Sequence, residues 1–477
     1  MQDITVRTLD EGTTTIDGAA VEALAGELRG DIVTAASPDY DEVRAIWNAM
    51  IDRKPAIIAR CMGTVDVKRA VLFAREHGLL TSVRGGGHNI AGNSIGDDVF
   101  MIDLSPMKWV NVDAETNTVR VGPGASLGDL DRETQEYGLA VPVGINSTTG
   151  IAGLTLGGGF GWLTRKYGLT IDSLQSAEVV TADGEIIRAD ADTNPDLFWA
   201  IRGGGGNFGI VTSFEFRSHE VGPEVFAGLI VYPYAEAEAV LQGYRAAVAD
   251  NPEELSVWVV MRKAPPLPFL PEEVHGKEVV VLALVHNGDM GQAQQDVARF
   301  TELGTVVGQH VGPTPFVGFQ AAFDPLLTPG ARNYWKTHDF SELSDGLLST
   351  LNEAVGKLPS PHCEVFIAHL GGAMARVATE DTAYAGREAE FVMNVHGRWE
   401  DAGDDDACIG WARELFADAA PHAMGTAYVN FLTADEQERV ASAYGRNFDR
   451  LLKVKAEYDP ANFFRINQNV RRVTPSA

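Results

Sequence analysis

Short runs of hydrophobic residues alternate with glycine-rich stretches from Asp41 to about Phe216. Such runs, rich in β-branched residues and bounded by glycine, predict strands. From Val65 to Glu76, apolar residues recur every three or four positions and Gly78 follows, which predicts an amphipathic helix and its end. The predicted strands of this half are Pro55–Ala59, Val99–Leu104, Val119–Val121, Glu178–Thr181 and Ile210–Phe216.

Glycine becomes less frequent after Val221, and longer elements begin there. Apolar spacing predicts a helix over Ala235–Ala249 and strands over Val257–Arg262 and Glu278–Leu284, which together indicate a second lobe of sheet and helices. Near the end, Asp435–Lys455 has a helical pattern, and an Asn-rich closing segment follows it.

The charge balance narrows the classes of partner. The 477 residues contain 38 Lys and Arg against 66 Asp and Glu, a net charge of −28, and 45% of the residues are hydrophobic. This composition supports a folded core, and its field would repel phosphate backbones and anionic lipids. We therefore expect no nucleic-acid or membrane partner and infer a small-molecule substrate.

Cysteine spacing and the N-terminus add two further expectations. Cys61, Cys363 and Cys408 have neither CxxC nor paired spacing, so we predict no disulfide framework and no metal site. The opening Met1–Asp17 is polar and acidic, without a visible signal peptide, and no apolar run approaches the roughly 20 residues of a spanning helix. We expect a soluble, cytoplasmic protein.

Four glycine clusters carry the most specific signal. Consecutive glycines let backbone N–H groups converge on an anion, which suggests a large phosphorylated ligand, although tight turns alone would also explain any single cluster. Gly204-x-Gly206-x-x-Gly209 matches the dinucleotide fingerprint formally, but a predicted strand rather than a helix follows it, so we reject a Rossmann site. The clusters are Arg84–Gly92, Gly122–Gly124, Gly157–Gly161 and Arg202–Gly209.

His88 directly follows three glycines. Together with the glycine clusters, it makes the sequence resemble the FAD-linked oxidases of the vanillyl-alcohol-oxidase superfamily, in particular the berberine-bridge-enzyme-like group. The matching segments occur in the family's order over nearly the whole chain. They are Arg84–Gly92, Gly157–Gly161 with Arg165–Leu169 and Asp172, Leu197–Gly209, Tyr428–Asn430 and Tyr458–Asn469.

This resemblance implies an α+β fold with two lobes. A PCMH-type FAD-binding domain would begin with residues 1–218, and residues 219–430 would form a substrate domain whose antiparallel sheet, flanked by helices, covers the flavin. Residues 431–477 would return to the FAD-binding domain.

The resemblance also implies that a ring nitrogen of His88 is bonded to the 8α carbon of FAD, which raises the flavin potential. The protein would then position the flavin and tune its electronics. The residues expected to hold FAD are His88, Arg84, Gly85, Gly86, Gly87, Asn89, Gly92, Asn146, Thr149, Gly150, Gly153, Gly157, Gly158, Gly161, Tyr167, Gly209, Ile210, Val211, Asn467 and Asn469.

Three positions depart from the family pattern or refine it. Asn146 occupies the place of a cysteine that attaches the flavin a second time in many members, so we expect a single covalent bond and a smaller substrate. Leu154 replaces a usual histidine. Thr149 lies where a residue of valine size is thought to admit oxygen, which favours an oxidase.

Removal of a hydride from an alcohol or amine needs a base for the O–H or N–H proton. By resemblance Tyr428 is the candidate, paired with Asn430 on one face of an expected strand, and it would need a lowered pKa. Some relatives use a glutamate on a strand corresponding to Phe391–Trp399, which contains no acid here. The expected substrate pocket comprises Trp335, His369, Asn394, His396 and Asn430.

The sequence thus predicts an FAD-dependent oxidase that takes a hydride from a sugar, alcohol, amine or natural product and reduces molecular oxygen to hydrogen peroxide. Two alternatives stay open. One is a flavin-dependent dehydrogenase with another acceptor, and the other is a flavin-binding protein without turnover.

Overall fold

A computed structural model describes residues 2–471, so residues 472–477 of the predicted C-terminal segment lie outside the described residues. The first half contributes several short strands, and the middle of the chain contributes longer ones. In chain order the strands are β1 Ile4–Arg7, β2 Thr13–Ile16, β3 Ile32–Val33, β4 Ile57–Arg60, β5 Thr81–Arg84, β6 Phe100–Asp103, β7 Val110–Asp113, β8 Thr118–Val121, β9 Leu139–Ala140, β10 Leu174–Val180, β11 Ile186–Asp190, β12 Ile210–Arg217, β13 His219–Glu220, β14 Glu224–Pro233, β15 Leu255–Lys263, β16 Glu278–His286, β17 Gly308–Pro315, β18 Arg332–Phe340, β19 Glu364–His369 and β20 Phe391–Trp399.

Helices connect and cover these strands. Within residues 2–471, no helix is both long and apolar enough to cross a membrane. The α-helices are α1 Gly18–Glu27, α2 Tyr40–Arg44, α3 Thr64–Glu76, α4 Leu127–Gln135, α5 Ile151–Leu156, α6 Thr164–Tyr167, α7 Thr170–Ser173, α8 Pro195–Ile201, α9 Ala237–Val248, α10 Met290–Ala298, α11 Phe316–Gln320, α12 Asp345–Val355, α13 Ala373–Arg376, α14 Asp405–Ala419, α15 Val440–Tyr444 and α16 Phe448–Tyr458.

The first half contains two larger sheets, besides the two-stranded pairs β1-β2 and β13-β9. One has the order β3-β4-β6-β5, with parallel pairs at its centre, and the other has the order β11-β10-β12-β8-β7 and is antiparallel. The helix expected over Val65–Glu76 is confirmed as α3, which buries Val67, Ala70, Val71 and Ala74. Strand β12 follows Gly209 as expected, in agreement with the rejection of a Rossmann site.

A seven-stranded antiparallel sheet occupies the middle of the chain, in the order β17-β14-β16-β15-β19-β20-β18. Because side chains alternate along a strand, each strand presents every second residue to one face. Val259, Leu282 and Met393 belong to the face that packs under α9, α12 and α14 in a hydrophobic core. The predicted α+β class, with an antiparallel sheet flanked by helices, is confirmed.

The helix predicted over Asp435–Lys455 is wrong in its extent. The structure has 3₁₀ turns at Gln437–Arg439 and Gly445–Asn447 and two separate helices, α15 and α16. Gly445 adopts a φ of +46°, a conformation that favours glycine and that ends α15. Apolar spacing continues across this break, which is why the sequence pattern concealed it.

The closing segment packs against the Arg202–Gly209 stretch. Lys455 donates to the carbonyl of Asn207 at 2.7 Å and to Asp459 at 2.6 Å. The side chain of Asn207 donates to the Gln468 carbonyl at 3.1 Å and accepts from the backbone N–H of Val470 at 3.0 Å. These buried polar contacts attach the end of the chain to a glycine-rich loop of the first half.

A buried ion pair joins two distant parts of the chain. Arg387 binds Asp172 of α7 in bidentate fashion, with two distances of 2.7 Å, and the two side chains are only 1% and 9% exposed. Removing one partner of such a pair leaves the other charge buried and unpaired, at a cost of about 3–5 kcal/mol. We therefore expect Arg387→Met to lower the apparent melting temperature of the flavin-loaded protein by several degrees.

The matched control is Arg446→Met. Arg446 pairs with Glu388 at 2.7 Å, but both side chains are more than 60% exposed, so we expect a loss of at most ~1 kcal/mol. Equal melting temperatures for the two variants would contradict the structural role of the Arg387–Asp172 pair.

Candidate active site

A cavity of about 380 Å³ lies between the glycine-rich loops of the first half and the inner face of the seven-stranded sheet. Residues of the closing segment complete its wall. The predicted cofactor-binding and catalytic residues on this wall are Gly85, Gly86, Gly87, His88, Asn89, Asn146, Thr149, Gly150, Gly153, Gly209, Ile210, Val211, Asn467 and Tyr428. The predicted pocket residues on it are Trp335, Asn394, His396 and Asn430.

His88 is held on three sides. It follows Gly87, whose φ of +71° turns the loop. The imidazole stacks on Trp47, with ring centroids 5.2 Å apart and planes inclined by 20°, and its Nε2 lies 3.1 Å from the Thr148 hydroxyl. Burial lowers the pKa of His88 to about 4, so the ring is neutral at pH 7 and a ring nitrogen keeps a free lone pair.

The glycines at this wall allow close contact between backbones. A Cβ on Gly86 would lie 2.5 Å from the backbone N of Gly150, and one on Gly150 would lie 2.5 Å from the N of Gly86. Gly157 lies behind this wall, and a Cβ on it would overlap the side chain of Asn430. Side chains at these positions would push apart the loops that form the cavity wall.

Several polar atoms on the wall are buried without a hydrogen-bond partner among the described residues. Burial of such groups is costly unless a ligand or water satisfies them. An extended, polar cofactor such as FAD would fit a cavity with this distribution of donors and acceptors. The atoms are Asn93 Nδ2, Ser94 Oγ, Asn394 Nδ2 and Oδ1, Tyr444 Oη, Asn467 Oδ1 and the indole nitrogens of Trp162, Trp258 and Trp335.

The expected strand at Tyr428–Asn430 is wrong, since Tyr428 immediately precedes a 3₁₀ turn, Val429–Phe431. The turn still brings both side chains to the cavity, where the Tyr428 oxygen accepts from the Asn430 amide at 3.0 Å and from the Gly159 N–H at 3.2 Å. The lowered pKa that a catalytic base would need is not found at Tyr428. Burial raises the pKa of Tyr428 to about 12, although both donors act in the opposite direction.

The inner sheet face carries two charged residues that the sequence analysis missed, Arg262 and Glu364. Arg262 Nη1 donates to Glu364 at 2.6 Å, and Nδ1 of His396 lies 3.1 Å from the other oxygen of Glu364. Burial opposes ionisation of Glu364, but Arg262 and His396 hold its pKa at about 2. These residues are cross-strand partners on β15, β19 and β20, a register that strand patterns alone do not reveal.

His369 lies away from this face. Glu364 and Phe366 of β19 line the cavity, whereas the His369 ring stacks on Phe391 and approaches the Arg165 guanidinium at 3.0 Å. The odd-numbered residues of the strand point to the opposite side, which explains the placement.

Seven of the predicted cofactor-binding residues are not part of the cavity wall that residues 2–471 form. Gly157 and Gly158 lie behind Asn430 and Tyr428, and Arg84 is bound to Asp103 at 2.7 Å. Tyr167 stacks on His219, with centroids 4.1 Å apart. The full set is Arg84, Gly92, Gly157, Gly158, Gly161, Tyr167 and Asn469.

Comparison with known proteins identifies two matching segments. A family model described as an FAD binding domain matches residues 55–190, and one described as berberine and berberine like matches residues 427–471. The first includes His88 and three of the four glycine clusters, and the second includes Tyr428, Asn430 and the closing segment.

Relatives of similar length cover nearly the whole chain. An FAD-linked oxidoreductase of Dictyostelium discoideum is 31% identical, covering 94% of this chain and 95% of the relative. The (R)-6-hydroxynicotine oxidase of Paenarthrobacter nicotinovorans is 30% identical, with coverages of 93% and 97%. A crystal structure of 6-hydroxy-D-nicotine oxidase from Arthrobacter nicotinovorans superposes with a TM-score of 0.84 at 28% identity, covering 93% of this chain and 98% of that one. The chain therefore belongs to the berberine-bridge-enzyme-like family of FAD-linked oxidoreductases.

Proposed function

We propose that this enzyme removes a hydride from an alcohol or amine carbon of a small molecule, with FAD bonded covalently to His88 and molecular oxygen as the final acceptor. The observation that carries the proposal is the placement of the neutral His88 ring and the Tyr428 hydroxyl on one cavity wall. The similarity to an oxidase of 6-hydroxynicotine over 93% of the chain supports it. When bound, FAD accepts the two electrons of the reaction.

The glycine loops would hold the cofactor through their backbone. Gly85, Gly86, Gly150 and Gly209 line the wall, and Asn467 adds a side-chain oxygen without a partner among the described residues. Backbone amides bind phosphate without basic side chains, which agrees with a chain of net charge −28. Asn146 has no thiol, so His88 would provide the single covalent attachment.

Tyr428 would act on the proton of the substrate's O–H or N–H. Its oxygen accepts two hydrogen bonds, which fixes the ring and leaves its own O–H free to face the cavity. With a pKa of about 12, Tyr428 is a neutral phenol at pH 7 and donates a hydrogen bond to the substrate heteroatom. It can take the substrate proton only in the small fraction of molecules that hold the phenolate.

Thr149 lines the cavity and supports oxygen as the acceptor. We expect the substrate-reduced protein to be reoxidised by air with one hydrogen peroxide formed per oxygen consumed, and an anaerobic dye assay to be no faster than the aerobic one. Rapid turnover with dye and negligible oxygen consumption would instead indicate the dehydrogenase. Failure of every substrate to bleach the flavin under anaerobic conditions would indicate a flavin-binding protein without turnover.

We expect His88→Ala to release FAD into the supernatant after acid precipitation, because the ring nitrogen of the covalent bond is lost. The wild-type pellet should stay yellow, and intact mass should show one FAD per chain. His219→Ala is the matched control, since His219 is also ring-stacked and burial lowers its pKa to about 4, yet it does not line the cavity as described. Flavin retained in the His88→Ala pellet would contradict the assignment.

We expect Tyr428→Phe to keep its flavin but to slow anaerobic bleaching by an alcohol by ~100-fold or more. In the wild type the phenolate fraction increases about tenfold per pH unit below the pKa of about 12, so the rate should rise continuously from pH 7 to 10. The variant should lack this rise. Tyr244→Phe, buried in the core under the sheet, controls for loss of a hydroxyl, and near-normal rates in Tyr428→Phe at every pH would remove Tyr428 from the mechanism.

A further inference from the structure

The inner sheet face of the cavity contains a compact set of polar side chains, which we call the sheet subsite: Arg262, Glu364, Asn394 and His396. Three adjacent strands place them side by side. Arg262 is opposite Glu364, Glu364 is opposite His396, and Asn394 lies two residues before His396 on β20. All four residues are buried, with at most 8% of each residue's surface exposed.

The charges of the sheet subsite are already paired within the protein. Arg262 and Glu364 bind each other at 2.6 Å, and His396 contacts Glu364 through Nδ1 and the Asn333 oxygen through Nε2. A charged group of a ligand would therefore enter a region that holds no unpaired opposite charge. Burial of an unpaired charge is costly, so this arrangement favours an uncharged ligand group.

Asn394 is different, because neither atom of its amide has a partner among the described residues, and its side chain is completely buried. An amide offers donors and an acceptor side by side. The complementary group is another amide or a lactam, which presents an acceptor and a donor in the same relative positions. A ligand of this kind would satisfy both atoms at once.

Aromatic rings line the same cavity as Asn394, and one of them, Phe366, is its cross-strand partner. Trp258 and Phe366 are parallel at 6.0 Å, and Phe431 stands edge-on to Phe366 at 6.0 Å and to Trp335 at 5.3 Å. Flat ligands pack well against such rings. Among the described residues of this face, the other buried polar atoms without partners are the indole N–H groups of Trp258 and Trp335, too few for the many hydroxyl groups of an oligosaccharide.

We propose that the sheet subsite recognises an uncharged amide or lactam group on a flat, largely apolar substrate, and that the two atoms of the Asn394 side chain pair with this group. The proposal rests on the proposed function, since it identifies the substrate class of the same cavity. The sheet subsite would then bind uncharged aromatic or heteroaromatic compounds in preference to sugars and carboxylates.

Binding to the flavin-loaded protein tests the subsite independently of turnover. The probes are benzamide, benzoate, toluene and cellobiose, and binding is followed anaerobically through the flavin absorption spectrum and by calorimetry. We expect benzamide to bind most tightly, and Asn394→Leu to weaken it by ~10- to 100-fold, because the hydrogen bonds of a buried amide are lost. Asn394→Asp, which keeps the shape but places a second carboxylate beside Glu364, should lose benzamide binding as well.

Asn287→Leu is the matched control. Asn287 also has an amide without a partner among the described residues, and it is not part of the cavity wall, so benzamide affinity should change less than about twofold. Tighter binding of benzoate or cellobiose, or unchanged benzamide affinity in both Asn394 variants, would overturn the proposal.

Oxidation distinguishes this proposal from the proposed function. With 4-(hydroxymethyl)benzamide we expect anaerobic bleaching at least ~10-fold faster than with benzyl alcohol, and Asn394→Leu should abolish that preference. Benzamide binding that depends on Asn394 but leads to no bleaching by any alcohol or amine would support the subsite and contradict the oxidation. Bleaching by cellobiose, without Asn394-dependent binding of benzamide, would support the oxidation and overturn the subsite.

Discussion

The alternation of side chains across the seven-stranded sheet is the constraint on which the site depends. Val395 of β20 belongs to the core under the helices, while its neighbours Asn394 and His396 line the cavity. A shift of one residue in register would exchange the two faces and place polar groups in the core. The hydrophobic core therefore fixes the register, and the register in turn fixes which side chains a substrate can meet.

The opposite wall depends on backbone proximity. Gly86 and Gly150 approach so closely that a Cβ on either would overlap the other's backbone. A Cβ on Gly157 would likewise overlap the side chain of Asn430. Glycine at these positions is thus required for close packing between segments. The closing segment is attached through Lys455 and Asn207, so Tyr428, the loops and the sheet meet around one cavity.

The sequence predicted most of this arrangement where the signal was local. Strand β12 and helix α3 have patterns that depend only on neighbouring residues, and His88 directly follows three glycines, whereas strand β20 was expected from the family resemblance. Contacts between segments far apart in the sequence could not be predicted in this way, because they depend on how the strands pair and the loops pack. Inspection of Phe391–Trp399 found no acid, yet Glu364 lies directly opposite His396 on the neighbouring strand, and Trp47, far from His88 in sequence, stacks on its ring.

The titratable groups that line the cavity are neutral or paired, although the protein as a whole is strongly acidic. Among these groups, His88 and Tyr428 are neutral at pH 7, and the charges of Arg262 and Glu364 cancel at a separation of 2.6 Å. Since charges interact more strongly in a region shielded from water, an unpaired charge here would affect any hydride leaving the substrate. Burial keeps Tyr428 neutral by making its phenolate costly. Hydrogen bonds from Asn430 and the Gly159 N–H reduce this cost, so they determine how readily Tyr428 can lose its proton.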